Sequence, residues 1–411
     1  MAQATDDLGA MSASEVINVI VSVPPRLLLS APLNNAGYLE PADLDLRASA
    51  TGFTDPIVRV EFFAGEQLVA VTTNEPIAAA WSKVPAGDYA IWARATDSSG
   101  MTVDSDVASV SVFPQALRSE LPGRLAYWRF EDTAWIGEEG QLPVSFANIL
   151  NSTHENGVAL EVDSEAEAHL RYREVEADHR PNVDVQSGSL VFAFSPNWSS
   201  AGMGGDGPGG TGQFFSIGQW TPDAAMGCWN FSISADGSEL MFVTQTNGFG
   251  MTNLVVPVSL SSNVWYQIAL TYTPSSSIIH LDGSRVGTNG LGVSVYPDAL
   301  TRAQYGLNIG SDHTGIGQIR GRIDDLETFN YPLTSAEISV RPDSDSDRLP
   351  DGWETTYGLD PQDAEGDDGF SGNPDGDALI NIEEWLLGTD PIHPDIPAGG
   401  LRGIKIHTPL E

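Results

Sequence analysis

The sequence predicts a mainly β protein with several domains in series. Short runs that alternate apolar and polar residues, bounded by Gly, Pro, Asn and Asp, recur from residue 24 to about residue 340. Helical periodicity is almost absent before Thr334–Ile338. The composition then changes, because residues 341–395 hold 16 Asp or Glu and two Arg. The full length of 411 residues allows two or three domains.

The charge of the chain is strongly negative, with 19 Lys or Arg against 56 Asp or Glu and a formal net charge of −37. Such a protein repels phosphate backbones, so nucleic acid is excluded as an expected partner, and anionic membrane surfaces are disfavoured. Only Lys83 and Lys405 are lysines. A surface rich in Asp and poor in Lys is typical of proteins that work in salty medium, where ions screen self-repulsion. Ordinary compositional drift is the alternative.

The ends of the chain and its apolar runs bear on where the protein works. No run reaches the roughly 18 apolar residues of a membrane-spanning helix. Residues 1–15 lack the basic start of a secretory signal. We expect residues 1–23 to contain a remnant strand of a preceding module, because Val21–Pro24 repeats the pattern of Val110–Pro114. A native N-terminal strand is the alternative.

The chain is therefore predicted to be part of a larger exported protein, secreted or on the cell surface. Residues 396–411 form its C-terminal tail. The single cysteine, Cys228, excludes an intramolecular disulfide. A core built from ten Trp, 15 Phe and ten Tyr has no need of one, because large domains bury enough apolar surface.

Residues 24–115 are predicted to form an immunoglobulin-like β-sandwich, because several short strands occur at the required spacing. The expected strands are Leu44–Ala50, Ile57–Phe63, Gln67–Val71, Ala78–Trp81, Asp88–Ala95 and Val107–Phe113. Tyr89 follows a turn and is a candidate for a tyrosine corner, in which the hydroxyl bonds back to the chain. The segments Val60–Glu66, Trp81–Tyr89 and Ala95–Asp97 resemble the bacterial Ig-like modules found beside carbohydrate-active domains. The resemblance implies a spacer.

Residues 122–340 are predicted to form a jelly roll. The segments that support this are Ala126–Asp132, Asn263–Tyr272, Ile279–Gly283, Asn308–Gly310, Gly321–Leu326 and Leu333–Ile338. Together they resemble the motifs of the laminin-G-like, concanavalin A-type jelly rolls of bacteria. That resemblance implies two packed antiparallel sheets with a concave face. It also implies a domain that binds glycans or proteins rather than one that catalyses.

The candidate binding face of this jelly roll is centred on Trp220. Exposed aromatic rings stack on the apolar faces of sugars, and the neighbouring Gln219 and Thr221 are polar groups that can fix hydroxyls. Trp198 is a further candidate, on the other side of the glycine-rich loop 201–212. A place in the core is the alternative for any single Trp. The predicted partner is a polysaccharide or other glycan, acidic or neutral and of marine type.

Catalysis in the same jelly roll is an alternative that needs its own residues. Glu161, Asp163 and Glu165 match the spacing that places carboxylates on one face of a strand in laminarinase-like β-glucanases. Ser164 stands where such a strand would bury a bulky apolar residue, and Glu167 continues the acidic run. The sequence therefore favours a solvated acidic edge over a catalytic strand.

Two pairs of carboxylates suggest a calcium site within the jelly roll. Glu131 and Asp132 follow the first predicted strand, whereas Asp324 and Asp325 lie on the last. Because terminal strands are commonly neighbours in jelly rolls, these side chains are candidates to hold Ca²⁺ together. A solvated acidic turn is the alternative.

The sharpest signal in the sequence is a repeat with a period of 30 residues inside 341–395. Its paired positions are Asp343 with Asn373, Asp345 with Asp375, Asp347 with Asp377, Leu349 with Leu379, Asp351 with Asn381, Glu354 with Glu384, and Gly358–Pro361 with Gly388–Pro391. These residue types fill the ligand positions of a calcium loop twice, with a backbone carbonyl at each Leu and a closing Glu. Helices are expected at Trp353–Tyr357 and Ile382–Leu387.

The duplicated segment resembles the thrombospondin type 3-like, dockerin-related calcium repeats of exported bacterial proteins. The resemblance implies Ca²⁺ as the cofactor and coupling between metal binding and folding. The sequence departs from the usual loop where a glycine makes the sharp turn, because Arg348 and Ala378 stand there. A charged disordered linker is the alternative.

The predicted function is a non-catalytic, calcium-binding and polysaccharide-binding accessory region of a larger protein. One alternative is an adhesin that binds a surface protein, with the acidic tail as a docking element. A second alternative is a glycoside hydrolase or polysaccharide lyase that uses the jelly-roll cleft.

Overall fold

The computed structural model describes residues 2–15, 23–117, 121–154, 157–246, 248–339, 347, 349–387 and 389–394. The chain divides into two compact units, Met1–Phe113 and Pro114–Glu411. The strand predicted before residue 24 lies outside the described residues except for Val23, and so do residues 396–411.

The first unit contains a short hairpin and the predicted immunoglobulin-like sandwich. Its strands are β1 Gln3–Thr5, β2 Met11–Ala13, β3 Arg26–Ala31, β4 Ala36–Leu39, β5 Ala42–Thr51, β6 Ile57–Ala64, β7 Gln67–Thr72, β8 Ala78–Val84, β9 Gly87–Asp97, β10 Thr102–Asp104 and β11 Ala108–Phe113. β1 and β2 form the hairpin. One sheet of the sandwich has the order β3-β5-β8, and the other has the order β4-β11-β9-β6-β7 with β10 on β9.

The alternation in the sequence explains how this sandwich packs. In β5, the inward residues Ala42, Leu44, Leu46 and Ala48 are buried while the residues between them are exposed. The turn before β9 is held by Tyr89, whose hydroxyl donates a hydrogen bond to the Pro85 carbonyl at 2.9 Å. This is the geometry of a tyrosine corner, as predicted.

The second unit contains the jelly roll, whose strands form two sheets that face one another across an apolar core. The strands are β12 Arg124–Trp128, β13 Ser145–Ala147, β14 Leu150–His154, β15 Gly157–Val162, β16 His169–Tyr172, β17 Gly188–Pro196, β18 Gly212–Gly218, β19 Cys228–Ile233, β20 Glu239–Thr246, β21 Phe249–Pro257, β22 Tyr266–Tyr272, β23 Ser276–Leu281, β24 Ser284–Leu291, β25 Leu307–Ile309 and β26 Gly321–Phe329. One sheet has the order β14-β15-β26-β17-β22-β23-β24 with β12 on β26, and the other has the order β13-β16-β25-β18-β19-β20-β21. The mainly β fold class, with an Ig-like sandwich and a concanavalin A-like jelly roll, is confirmed.

Aromatic side chains dominate the core between these two sheets. Trp229 lies at its centre, with its ring centroid 4.7 Å from that of Phe242 and 5.1 Å from that of Tyr272. The terminal strands β12 and β26 pair directly, with Trp128 opposite Leu326, so the predicted neighbourhood of first and last strand is correct.

Short helices complete the second unit. They are a 3-10 turn at Ala201–Met203, α1 Ala299–Tyr305, α2 Ser335–Ser339, α3 Asp351–Tyr357 and α4 Asn381–Leu387. α3 and α4 lie where the sequence predicts the helices of the two calcium repeats. None of the helices in the described part of the chain has the length and apolar character needed to cross a membrane.

Candidate functional site

The loop between β18 and β19 presents Trp220 to solvent, with 51% of the side chain exposed. The ring borders a cleft of ≈ 360 Å³, which is within the usual range for small-ligand sites. The lining residues are Trp220, Pro222, Asp223, Ala224, Val243, Gln245, Gly248, Gly250, Met251 and Thr252. They come from the β18–β19 loop and from the hairpin of β20 and β21.

Gln245 fixes the Trp220 loop to the sheet. Its buried side-chain amide accepts a hydrogen bond from the Thr221 N–H at 3.1 Å and donates one to the Thr221 carbonyl at 2.9 Å. Gly250 packs closely against this side chain, because a Cβ there would lie 3.0 Å from the Gln245 Cγ. The backbone next to Trp220 is therefore fixed to the sheet, and this segment loses little conformational entropy when a ligand binds.

The predicted polar neighbours of Trp220 hold the loop and do not line the cleft. The Gln219 N–H donates to the Gly227 carbonyl at 2.9 Å, and the Thr221 hydroxyl accepts from the Ala225 N–H at 2.9 Å. Neither Gln219 nor Thr221 lines the cleft. The Thr221 hydroxyl is used within the loop. That Gln219 and Thr221 contact the ligand stays a prediction.

Asp223 supplies the one carboxylate of the cleft lining. A hydrogen bond from the Thr221 hydroxyl, with further support from the Ala225 N–H, lowers the pKa of Asp223. The group is exposed and is therefore an ionised acceptor at neutral pH. Because a carboxylate has about four acceptor sites, it retains capacity for ligand hydroxyls.

Sequence reasoning missed the opposite wall of the cleft, which is the turn between β20 and β21. Gly248, Gly250 and Met251 line the cleft from this side, and Phe249 is exposed between the two glycines. The Asn-Gly pair at 247–248 between two apolar runs is the signal that could have found it, since this pair marks tight hairpins.

Trp198 is a core residue, which corrects its prediction as a ligand-binding residue. Only 9% of it is exposed, its indole N–H donates to the Ile319 carbonyl at 2.8 Å, and its ring packs against Phe194. Gly237 lies against the ring so closely that a Cβ there would clash with it. No face of this Trp remains for a sugar.

Three of the four carboxylates at the terminal strands lie near His154: Asp324 by a direct contact, and Glu131 and Asp325 through their charge. Asp324 lies 3.1 Å from the imidazole Nε2 of His154, whereas Asp325 accepts a hydrogen bond from the Tyr127 hydroxyl at 2.6 Å. Asp132 caps the backbone N–H groups of residues 134 and 135. Among the described residues these carboxylates, including that of Glu131, form no group of three that could share a metal ion. The calcium site predicted at this place stays a prediction.

The acidic tail does bring carboxylates together. Ligand oxygens of Asp375, Asp377 and Glu384 all lie within 4.8 Å of one another, and Asp377 and Glu384 are buried. The loop that precedes α4 curls because its side chains bond to its own backbone: Asn373 accepts from the Gly376 N–H at 2.8 Å and Asp377 accepts from the Leu379 N–H at 2.6 Å.

Asn381 adds a further oxygen beside this cluster. Its amide nitrogen donates to the carbonyls of Asp367 and Gly369 at 2.8 and 2.9 Å, whereas its buried Oδ1 has no hydrogen-bond donor among the described residues. Three close carboxylates with an orphaned amide oxygen form a donor set that suits a hard cation such as Ca²⁺.

The first predicted loop shares its local geometry with the second where it is described. The Leu349 N–H donates to Asp347 at 2.8 Å, as Leu379 does to Asp377 one repeat later. The Leu359 N–H donates to the Glu354 carbonyl at 2.9 Å. One repeat later, the Thr389 N–H donates to the Glu384 carbonyl at 3.0 Å. Asp347, Leu349 and Glu354 are buried. Asp343, Asp345 and the side chain of Asp351 lie outside the described residues.

The carboxylates of the catalytic alternative do not lie on one strand. β15 ends at Val162, so Asp163 and Glu165 follow the strand. Asn197 donates to both Glu161 and Asp163, at 3.2 and 2.9 Å. Glu165 instead lines a separate cleft of ≈ 460 Å³ together with Arg320. The arrangement required for a strand-borne acid and nucleophile is therefore missing here.

Two family models match the chain, and they define the class of its domains. Residues 205–339 match the Laminin_G_3 model of the concanavalin A-like lectin/glucanases superfamily, and residues 25–111 match the Big_7 model of bacterial Ig domains. Domains of these kinds are typical of extracellular proteins. No curated protein matches the chain.

Solved structures with some likeness include domain 4 of AbnA, a GH43 extracellular arabinanase from Geobacillus stearothermophilus, in complex with arabinotriose. It is 14% identical over 54% of this chain and 98% of its own, with a TM-score of 0.39. The fibronectin(III)-like modules of Clostridium thermocellum CbhA are 26% identical over 21% and 93%, with a TM-score of 0.20. Trypanosoma rangeli sialidase is 12% identical over 66% and 47%, with a TM-score of 0.38, so the chain spans about half its length. At these TM-scores the likenesses carry no argument about function.

Proposed function

We propose that this chain is a non-catalytic accessory region of a larger secreted or cell-surface protein, which binds polysaccharide through the Trp220 cleft and Ca²⁺ through its acidic tail. The observation that carries the proposal is the exposed Trp220 ring, which borders a cleft that also contains the Asp223 carboxylate. A flat apolar surface beside hydroxyl acceptors matches the two faces of a sugar ring.

Binding by one such cleft is expected to be weak. A stacked aromatic ring contributes on the order of 1 kcal/mol beyond its buried area. The expected affinity is therefore about millimolar to micromolar, and retention on a polymer gains from repeated engagement or from other modules of the parent protein. This suits an accessory region, which keeps its parent near a polymer without blocking it.

The glycan proposal is tested by affinity electrophoresis in gels that contain a broad panel of polysaccharides. We expect one or more polymers to slow the wild-type chain and Trp220→Ala to migrate as it does in empty gels. Phe146→Ala is the matched control, since Phe146 is also 51% exposed in the same jelly roll but lies on β13, away from the cleft. If no polymer slows the wild type with Ca²⁺ present, glycan binding is wrong and a protein-binding adhesin becomes the better proposal.

Calcium binding is supported by the convergence of Asp375, Asp377 and Glu384 and by the orphaned oxygen of Asn381. A bound cation would remove the repulsion among these carboxylates and would link the loop to α4, which carries Glu384. Burying such a cluster without a cation costs several kcal/mol. Tail folding and calcium binding are therefore expected to be coupled.

Titration calorimetry of the full chain tests the calcium proposal. We expect two Ca²⁺ to bind, one per repeat, and Glu384→Gln to remove the second. Glu365→Gln is the matched control, because Glu365 is an exposed residue of the same type in the same segment. Absence of any binding heat, together with a melting curve that EDTA leaves unchanged, contradicts the proposal.

A further inference from the structure

The Trp220 cleft is formed by a part of the sequence that contains no Lys or Arg. The segment 181–284 supplies every lining residue of the cleft and contains no Lys or Arg, but it contains six Asp or Glu. The lining itself has one charged side chain, that of Asp223. The Lys and Arg residues of the jelly roll therefore lie outside segment 181–284.

We infer that the glycan taken by this cleft is a neutral polysaccharide, not a sulfated or uronic one. The inference rests on the proposed glycan-binding function and narrows it. An anionic sugar held against Trp220 would place its charge beside the Asp223 carboxylate, and like charges at close range repel strongly when water is excluded. The net charge of −37 also repels an approaching polyanion, at distances shorter than the screening length of the salt.

The charged group of the cleft lining, the Asp223 carboxylate, is an acceptor suited to hydroxyls. Asp223 projects from the same turn as Trp220, and its own hydrogen bonds come from Thr221 and Ala225 within that turn. The Gln245 amide uses one N–H and one oxygen lone pair in its hydrogen bonds with Thr221. A hydroxyl that donates to Asp223 forms a charge-assisted hydrogen bond, which is stronger than a neutral one.

Apolar side chains, backbone and the polar side chain of Thr252 form other parts of the cleft lining. Val243, Met251 and Pro222 offer carbon atoms, and Gly248 and Gly250 bring the main chain close. A sugar ring with C–H groups on its faces and hydroxyls at its edge can contact Trp220, these carbons and Asp223 at the same time. Among the described residues, the lining contains no Lys, Arg or His that could pair with a sulfate or carboxylate substituent.

The test uses pairs of polymers that share a backbone and differ in charge, run in affinity gels with the full chain. Suitable pairs are hydroxyethyl cellulose with carboxymethyl cellulose, dextran with dextran sulfate, and a neutral galactan with carrageenan. We expect retardation only by neutral members, in a manner that Trp220→Ala removes and Phe146→Ala preserves. Asp223→Asn is expected to weaken retardation about threefold to tenfold, as the loss of a charge-assisted hydrogen bond implies.

The outcomes separate the inference from the proposed function. Retardation by an anionic polymer that equals or exceeds that of its neutral partner, and that depends on Trp220, overturns the inference while glycan binding stands. Absence of retardation by every polymer overturns both. An unchanged melting temperature of Trp220→Ala and Asp223→Asn shows that each variant is folded.

Discussion

At the scale of single residues, two tryptophans of the same jelly roll differ in burial and therefore in the role that each can have. Trp198 and Trp220 lie on the two sides of one glycine-rich loop, and the sequence gives both of them polar neighbours. In the structure Trp198 packs on Phe194 and donates to Ile319, more than a hundred residues away, whereas Trp220 faces solvent. Neighbours in sequence could not reveal this difference, because the partner of Trp198 comes from another strand connection.

These two residues predict opposite effects of truncation. Trp198→Ala should lower the free energy of unfolding of the jelly roll by about 3–5 kcal/mol, since it leaves a cavity in the core. Trp220→Ala should change that free energy by less than about 0.5 kcal/mol, as surface substitutions usually do. Denaturant unfolding followed by circular dichroism measures both. Equal destabilisation would mean that Trp220 is also a core residue.

His154 predicts a dependence of stability on pH. Burial, with the charge of Arg322 as a second cause, lowers the pKa of His154 in the folded protein. The unfolded residue titrates near about 6.5, so the unfolded state binds more protons below that pH. The contribution of His154 to the free energy of unfolding is therefore complete above about pH 6.5. It is lost as the pH falls toward and through the lowered pKa of the folded protein.

Melting temperatures of the wild type and of His154→Gln, measured from about pH 5 to 8, isolate this effect. The variant should lose less stability than the wild type as the pH falls. His280 and His313, whose pKa values are also lowered by burial, are present in both proteins and cancel in the difference. Parallel curves for the two proteins would contradict the assignment.

At the scale of elements, two surface loops are each fixed by the side-chain amide of a glutamine. The Gln245 amide bonds both the N–H and the carbonyl of Thr221 in the Trp220 loop. The Gln318 amide likewise accepts from the Ser164 N–H and donates to the Ala166 carbonyl, both at 2.8 Å. In each case one side chain replaces a missing strand partner for the loop backbone.

Gln245→Ala should therefore loosen the Trp220 loop without removing the stacking ring. We expect faster hydrogen exchange of the Thr221 amide and weaker retention on whichever polymer binds the wild type. Gln318→Ala removes the same kind of contact from the other loop, so it should leave both readings unchanged. Equal loss of retention in the two variants would point to general destabilisation instead of positioning.

The repeat of 30 residues shows how far sequence reasoning reaches at this scale. The helices α3 and α4 begin within two residues of their predicted starts, and matching hydrogen bonds occur at Leu349 and Leu379. Local signals suffice here, because the loop is stabilised by bonds between residues close in sequence. Asp324 and Asp325 instead contact His154 and Tyr127, which are far away in the sequence, and local sequence patterns do not reveal such partners.

At the scale of the whole molecule, the strand pattern predicts both sandwiches because one face of each strand is buried. The alternation in β5 is as regular in the structure as in the sequence, and the first and last strands of the jelly roll pair as expected. The wall of the cleft at Gly248–Thr252 could not be predicted, since it depends on the register between the β20–β21 hairpin and a loop that precedes it by more than twenty residues.

The arrangement of Glu161, Asp163 and Glu165 predicts the absence of a catalytic role. Asn197 bridges the first two, and Glu165 lies beyond the end of β15. Glu161→Gln and Glu165→Gln should therefore leave glycan retention unchanged, and the wild type should release neither reducing sugar nor unsaturated product. Cleavage of any β-glucan by the wild type that either variant abolishes would make the chain a glycoside hydrolase.

The central claim is that an exposed aromatic cleft makes this chain a glycan-binding region. The most direct test is a glycan array probed with the wild type and Trp220→Ala side by side, in buffer with Ca²⁺. We predict that the wild type binds a set of related neutral glycans and that the variant, with an unchanged melting temperature, loses all of them. Binding that survives in Trp220→Ala, or a wild type that binds no glycan at all, would contradict the claim.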